Sequence, residues 1–377
     1  MFLFSSSKKS YLGVDLGTGS IKLVELSNYK GRAKLETYGY IDMFSDILKS
    51  NSPQAKKKIA EALKTLKERS GVKSNKCVAA LPTFSVFSSI ISLPELSKRD
   101  LASAIRWEAK KYIPLPLEEM ILDWKIITEE EIKVEENQEK SGESDKEDIR
   151  SKLSFFKKRS DKKRFIKVLI TAAPKNLVSR YLEIFKMADL KLLSLETEAF
   201  ALARCLIGHD QANVMIIDIG SVTSDICIIE KGIPFINRSL DTGGLAISQA
   251  IASSLNISLE RAEQFKRDYG ISLSQNEAAL GIPKIIEESI TPIINEVKYI
   301  FDLYQKQGEN KVEKIIMTGG SVFLPNLEEY FSQLFGLKVF IGNAWERIIY
   351  PIDLKPVLEE VGSRLAVAIG LALREIY

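Results

Sequence analysis

Histidine is almost missing from this chain of 377 residues: His209 is the single one. With one histidine, His-based zinc sites and Ser-His-Asp chemistry are nearly excluded, and its place beside Gly208 and Asp210 reads as an ordinary loop position. Cysteine is scarce too. Cys77, Cys205 and Cys227 lie far apart in apolar surroundings, with neither metal-finger spacing nor an even number to pair, which points to a reducing compartment. Charge of one sign is not in excess: 53 basic against 50 acidic residues leave +3, and no basic face with interleaved aromatics stands out, so a nucleic-acid partner is not expected. Long apolar runs are lacking as well. Stretches such as Leu365 to Leu373 fall well below a membrane span, and Met1-Phe-Leu-Phe4 is too short for a signal peptide, so a cytoplasmic protein is expected. Phe2 and Phe4 leave two readings of that tip, disorder or contact with a membrane or partner.

What is present is an ordinary globular composition, 45% hydrophobic and 27% charged, at a length that builds two or more domains with real cores. Strand and helix patterns alternate. Strands are expected at Tyr11 to Leu26, Arg32 to Ile41, Lys76 to Leu81, Ser88 to Leu93, Met120 to Ile127, Phe165 to Ala172, Lys191 to Leu195, Val214 to Ile219, Ile226 to Ile229, Pro234 to Ser239 and Lys314 to Met317. Between them fall helices at Pro53 to Arg69, where Ile59, Leu63 and Leu66 share a face, at Lys98 to Tyr112, and at Lys175 to Ala188. An alanine-rich helix starts at Ala199, helices dominate Leu245 to Gln305, and a closing helix covers Arg364 to Leu373. Residues 129–164 turn acidic and then basic, which reads as a solvated loop or, with Phe155 and Phe156 in its basic block, as a docking segment for a partner or an anionic membrane. Strands mixed with helices in two similar halves predict a two-lobed α/β architecture with a cleft between the lobes.

Two segments carry the chemistry. Tyr11-Leu-Gly-Val-Asp-Leu-Gly-Thr-Gly-Ser-Ile-Lys22 and Val214-Met-Ile-Ile-Asp-Ile-Gly-Ser-Val-Thr-Ser-Asp225 each send a buried strand into an aspartate and then a glycine turn. Glycine lets backbone N–H groups approach an anion closely, and the aspartate faces a metal ion or the water around it. One such turn is an ordinary tight bend. A second copy with the same acid-to-glycine offset suggests two loops gripping one phosphate chain from opposite sides.

The order of these loops, with Gly243-Gly244, a late Thr318-Gly-Gly-Ser321 turn and a small-residue closing helix, resembles the actin, Hsp70 and sugar-kinase superfamily. That resemblance implies an actin-like (ribonuclease H-like) ATPase fold binding ATP and Mg²⁺. It places Gly17, Thr18, Gly19, Ser20 and Lys22 on the phosphates from one side and Gly220, Ser221, Val222 and Thr223 from the other. Asp15 and Asp218 would orient Mg²⁺ through its waters, and Gly243 and Gly244 would belong to the same cofactor site. Ala262-Glu-Gln-Phe-Lys-Arg267 resembles the nucleoside-binding helix of Hsp70-like members, so that Glu263 and Lys266 would reach the ribose and Arg267 would cover the adenine. The same spacing also makes a plain surface ion pair. Gly319, Gly320 and Ser321 would lie against the adenosine. Glu196 falls where Hsp70 places its acid, which makes it, with Asp15 and Asp218, the candidate for catalysis. Ser221, Val222 and Ser224 depart from the glycine-rich Hsp70 form, and at most slow Mg-dependent hydrolysis is expected.

Within the superfamily the segment 82–174 sets the branch. Trp107-Glu-Ala-Lys-Lys-Tyr-Ile-Pro114, Met120-Ile-Leu-Asp-Trp124 and Ala366-Val-Ala-Ile-Gly-Leu-Ala-Leu-Arg374 resemble the PilM family of type IV pilus assembly, which carries an FtsA/PilM-type small subdomain at this point. The implied layout is subdomain 1A in 1–81, 175–212 and 351–377, the inserted 1C in 82–174, subdomain 2A in 213–244 and 311–350, and 2B in 245–310. The implied role is a scaffold at the cytoplasmic face of the inner membrane that binds the N-terminal segment of a PilN-like protein and meets other platform or motor proteins. Self-association is left open. The alternative is an FtsA-like division protein, whose usual membrane-targeting tail is not expected in a chain stopping at Glu375-Ile-Tyr377. A sugar kinase would need a base opposite its substrate hydroxyl; Asp225 is the one candidate and reads instead as part of the second phosphate loop.

Overall fold

The computed structural model describes residues 10–43, 45–131, 164–273, 281–306 and 310–376. The expectations for Phe2, Phe4, Phe155 and Phe156, and for most of the charged segment 129–164, lie outside the described residues. The chain divides into two compact units, Met1–Phe87 with Ala173–Tyr377, and Ser88–Ala172.

In the first unit, β1 (Ser10–Leu16), β2 (Ser20–Tyr29) and β3 (Arg32–Asp42) form an antiparallel meander. The strand region expected from Tyr11 to Leu26 divides at Gly17-Thr-Gly19, the glycine turn expected after the aspartate of its first strand. After α1 (Ser45–Lys49) comes α2 (Pro53–Arg69), which starts where Ser52 accepts a hydrogen bond from the Ala55 amide and Pro53 presets the first turn. Its Ile59, Leu63 and Leu66 are buried. β4 (Lys76–Leu81) then joins β1 in parallel.

The second unit holds β5 (Phe87–Pro94), α3 (Lys98–Ala109), β6 (Met120–Glu131) and β7 (Arg164–Pro174), with sheet order β5-β7-β6. β6 continues into the acidic residues assigned by sequence to the loop. Helix α3 buries Leu101, Ile105 and Ala109.

Back in the first unit, α4 (Lys175–Met187) leads to β8 (Lys191–Thr197), parallel to β4, and to the short α5 (Glu198–Leu202). The second half repeats the first: β9 (Val214–Ile219), β10 (Ser224–Glu230) and β11 (Ile233–Leu240) are an antiparallel meander. Helices α6 (Gly244–Leu255), α7 (Leu259–Tyr269) and α8 (Ile282–Lys306) follow, and β12 (Lys314–Thr318) pairs in parallel with β9 as β4 does with β1. The chain finishes through α9 (Leu327–Phe335), β13 (Lys338–Ile341), β14 (Ile348–Ile349) and α10 (Lys355–Leu373). The two main sheets read β14-β3-β2-β1-β4-β8 and β11-β10-β9-β12-β13.

Burial explains the layering. Helices α2 and α4 cover the outer face of the first sheet with Ile59, Leu63, Ile184 and Phe185, while Ile247, Ile290 and Val297 of α6 and α8 cover the second. Between the sheets lies a cluster built on α10, in which Leu365, Ala368 and Ala372 pack with Val24 of β2 and Ile216 of β9. Such a helix must come close: a Cβ on Gly13 would sit 2.0 Å from the Ala368 carbonyl oxygen, so glycine is required there. α10 begins two turns earlier than its apolar run suggests, because Pro356 and the exposed Glu359 make a polar start. Among the described residues no helix is long and apolar enough to cross a membrane.

Candidate functional site

Strands β1 and β9 occupy equivalent places in their sheets, so their aspartates arrive at one cavity of about 690 Å³. It is lined by Asp15, Gly17, Thr18, Gly19, Ser20 and Lys22 from the first sheet and by Asp218, Gly220, Ser221 and Thr223 from the second. The turns touch across it, with the hydroxyls of Thr18 and Thr223 at 3.0 Å. Among the described residues, the amides of Thr18, Gly19 and Ser221 donate to no backbone carbonyl in a turn or loop, which leaves them available to an anion.

Equal offsets give different partners. In the β1–β2 ladder Asp15 stands opposite Lys22, and in the β9–β10 ladder Asp218 stands opposite Asp225. The Lys22 ammonium donates to Asp15 at 2.7 Å. Burial pulls its pKa down, but the charge and hydrogen bond of Asp15, with Asp218 and Glu198 beyond, outweigh that and hold it above the ordinary lysine value. The acids outnumber this cation. Burial first, then Asp225, pushes Asp218 up to about 7, with Lys22 pulling the other way. Burial also lifts Asp225 to about 6, tempered by the Ser239 and Thr83 hydroxyls. Glu198 is raised well above the usual range by burial, then by Asp225 and Asp15, although the Thr83 amide and hydroxyl both donate to it.

No three acids among the described residues are gathered tightly enough to clasp a bare metal ion. A hydrated Mg²⁺ nevertheless fits: four mutually repelling carboxyl groups, of Asp15, Glu198, Asp218 and Asp225, face the cavity, and the buried Oδ1 of Asp225 has no hydrogen-bond partner among the described residues.

Another wall of the cavity is built by α7, whose Ser258 cap fixes the first turn. Glu263 accepts from Ser248 at 2.5 Å, Lys266 at 2.6 Å and Arg267 at 3.3 Å, and Lys266 also donates to the Gly244 carbonyl at 3.1 Å. Gly244, Glu263, Lys266 and Arg267 line the cavity with Gly319, Gly320 and Ser321, while Ser248 supports Glu263 from behind the wall. Gly319 has φ 96°, and a Cβ there would lie 2.3 Å from Asp218 Oδ1. Only glycine lets this turn pass the acid.

Three expected residues stand elsewhere. Val222 and Gly243 do not line the cavity. Gly243 packs against the second turn, where the Gly244 and Leu245 amides donate to the Gly220 and Ser221 carbonyls; the start of α6 is thus a brace with its first donors already used. Glu196 does not line it either. Its oxygens take Arg204 at 2.6 and 3.0 Å and stand 3.7 Å from Arg374, tying β8 to the turn after α5 and to the end of α10. The acid that reaches the cavity is Glu198, two residues on. Sequence reading also missed Tyr40, Asp42, Phe323 and Arg364 in the wall. Arg364 pairs with Asp42 and lies 4.1 Å from the Tyr40 ring centre, a meeting of distant segments that no local pattern signals.

Two sheets of one topology on either side of a helix, with paired acid-glycine turns in a shared cleft, define an actin-like fold. The type IV pilus assembly protein PilM family model matches residues 13–162 and 151–376, and the chain belongs to that family. A solved PilM-PilN type IV pilus biogenesis complex shares 24% identity, covering 97% of this chain and 98% of that one, with a TM-score of 0.77. Ethanolamine utilization protein EutJ from Carboxydothermus hydrogenoformans superposes with a TM-score of 0.53 at 16% identity, over 97% of this chain and 89% of that one. Among curated proteins, EutJ of Escherichia coli is 30% identical over 125 residues, 33% of this chain and 39% of that protein. Cell division protein FtsA of Staphylococcus epidermidis is 21% identical over 218 residues, 52% and 46%. The chain thus spans about two fifths to a half of these curated relatives' lengths.

Proposed function

We propose that the chain binds ATP with Mg²⁺ in the cleft and acts in type IV pilus assembly as a scaffold whose cleft closure conditions its hold on the cytoplasmic N-terminal segment of a PilN-like protein. The observation that carries the nucleotide reading is the convergence of both turns on one cavity, with the Thr18, Gly19 and Ser221 amides meeting no backbone carbonyl in a turn or loop among the described residues and Thr18 and Thr223 in contact. Family membership and the likeness to a PilM-PilN complex support the pilus role and the partner.

In this reading Lys22 and the amides of both turns hold the phosphates, while Asp15, Asp218 and Asp225 hold the waters of the metal ion. Bound Mg²⁺ would supply charge neutralisation on the phosphates. Glu263 and Lys266 are pre-set by Ser248 and Gly244 to meet the ribose, and Arg267 stands at the cavity edge to cover the base. Glu198, held by Thr83 and facing the phosphate end, replaces Glu196 as the group that orients a water. Closure biases partner binding to the extent that ATP favours one arrangement of the lobes. The partner would keep the chain at the cytoplasmic face of the inner membrane.

Calorimetry tests both halves separately. ATP should bind in the micromolar range and only weakly without Mg²⁺, and the N-terminal peptide of a PilN-like protein from the same organism should bind with an affinity that changes when ATP is present. Nucleotide binding without peptide binding would remove the partner; peptide binding without nucleotide binding would remove the cleft reading.

A further inference from the structure

The unit Ser88–Ala172 presents a basic and aromatic helix face that the nucleotide and peptide readings leave unused. Helix α3 turns Leu101, Ile105 and Ala109 inward. Arg99, Ser103, Arg106 and Lys110, spaced four, three and four residues apart, run in a single exposed stripe on its other side. Arg99, Arg106 and Lys110 form no ion pair among the described residues; the exposed Asp100 in the first turn is engaged with Ser97, and three cations stand against it on this side of the helix. Beside it stands Trp107, 66% exposed, with the Lys111 ammonium 4.5 Å from its ring centre. Tyr112 and Leu115, 47% and 46% exposed, follow directly where the helix ends.

We propose that this face of α3 lies on an anionic phospholipid surface. Unpaired cations complement lipid phosphates, and long basic side chains can keep their heads at that level while their stems lie on apolar groups. An indole and a phenol at the flank take the position that Trp and Tyr favour at a membrane-water boundary, with an apolar body and a hydrogen-bonding tip. A nucleic acid would also meet the cations, but the aliphatic Leu115 has no base to stack on, and three cations along a helix this short cover little of a phosphate backbone. An amphipathic partner helix would seek an apolar groove, whereas the centre of this face is charged. The proposal does not depend on a loaded cleft.

The test uses the full chain with vesicles of equal parts phosphatidylcholine and phosphatidylglycerol, and with pure phosphatidylcholine vesicles. Co-sedimentation is expected with the anionic vesicles alone and should fade at high salt. The triple variant R99Q/R106Q/K110Q should bind them about 100-fold more weakly, roughly fivefold per cation near an anionic leaflet. Its melting temperature and ATP affinity should stay unchanged, which shows that it folds. Trp107 emission should shift to the blue on anionic vesicles, a change lost in Trp107→Phe. No co-sedimentation, equal binding to neutral vesicles, or undiminished binding of the triple variant would each overturn the proposal, the last by assigning the lipid contact to another segment such as 129–164. A triple variant that loses the PilN-like peptide but keeps its lipid affinity would make this a protein surface and overturn it equally.

Discussion

Glu198 Oε2 accepts two hydrogen bonds from Thr83, one from its amide at 2.9 Å and one from its hydroxyl at 2.8 Å. Thr83 stands just before the chain enters the Ser88–Ala172 unit, so the acid facing the cleft is fixed by the segment that leads into that unit.

Exchange at 198 and at 196 separates chemistry from architecture. Glu198→Gln should lower Mg-dependent phosphate release about 100-fold or more, the range for loss of a positioned acid-base group, while ATP affinity changes little. Glu196→Gln should cut its hold on Arg204 and cost roughly 1–3 kcal/mol of stability, leaving turnover per folded molecule unchanged. Phosphate release and thermal melts on both variants decide between them. Loss of turnover in Glu196→Gln alone would reverse the assignment.

Asp218 gives the apo protein a pH dependence of defined sign. An aspartate at about 7 when folded and near the ordinary value when unfolded binds its proton more tightly in the native state. The resulting stability is fully present below about pH 4 and is lost as pH rises through 7, in total on the order of 4 kcal/mol at 1.4 kcal/mol per tenfold in proton affinity. Asp218→Asn should flatten this part of the melting curve and weaken Mg-dependent ATP binding. Binding of Mg²⁺ with ATP to the native protein should release protons between pH 6 and about 7, which calorimetry in buffers of different ionisation enthalpy would detect.

Lys22→Met removes the cation that balances the cleft. Asp15 loses its 2.7 Å partner while buried, a loss of about 3–5 kcal/mol near neutral pH, and the acids should regain part of it by taking up protons. Melting temperatures should therefore rise on acidification more steeply than in the native chain, and ATP affinity should fall at every pH.

Gly319→Ala tests the late turn. Its positive φ of 96° and the 2.3 Å approach of a new Cβ to Asp218 should cost at least roughly 2 kcal/mol and displace that carboxylate. ATP binding should weaken with it, while Gly31→Ala, at a turn where a Cβ meets nothing within 4 Å, should leave binding unchanged.

Legibility in the sequence followed the range of the forces involved. The twin turns, α2 and β9 were readable because a buried strand or an amphipathic helix writes its periodicity over consecutive residues. The missed elements carry little signal of their own. β14 is two residues held by β3, and the opening turns of α10 send only Leu358 into the inter-sheet core while Lys355, Pro356, Glu359 and Glu360 are exposed, so they carry little apolar signal. Glu196 and Glu198 cannot be separated by type or spacing. Which one turns to the cleft is decided by Arg204 and Arg374 on one side and Thr83 on the other, and all three arrive through tertiary packing. Tyr40, Asp42 and Arg364 went unread for the same reason.

The opposed registers, Asp15 facing Lys22 and Asp218 facing Asp225, give the cleft an electrical direction. One hairpin used twice by a symmetric dimer would set identical charges on both walls, and a ligand could enter either way round. Because the two copies are encoded separately, one jaw presents an ammonium and the other an extra carboxylate. A molecule whose own ends differ, anionic on one flank and metal-bearing on the other, then has a single orientation in which every charge is met.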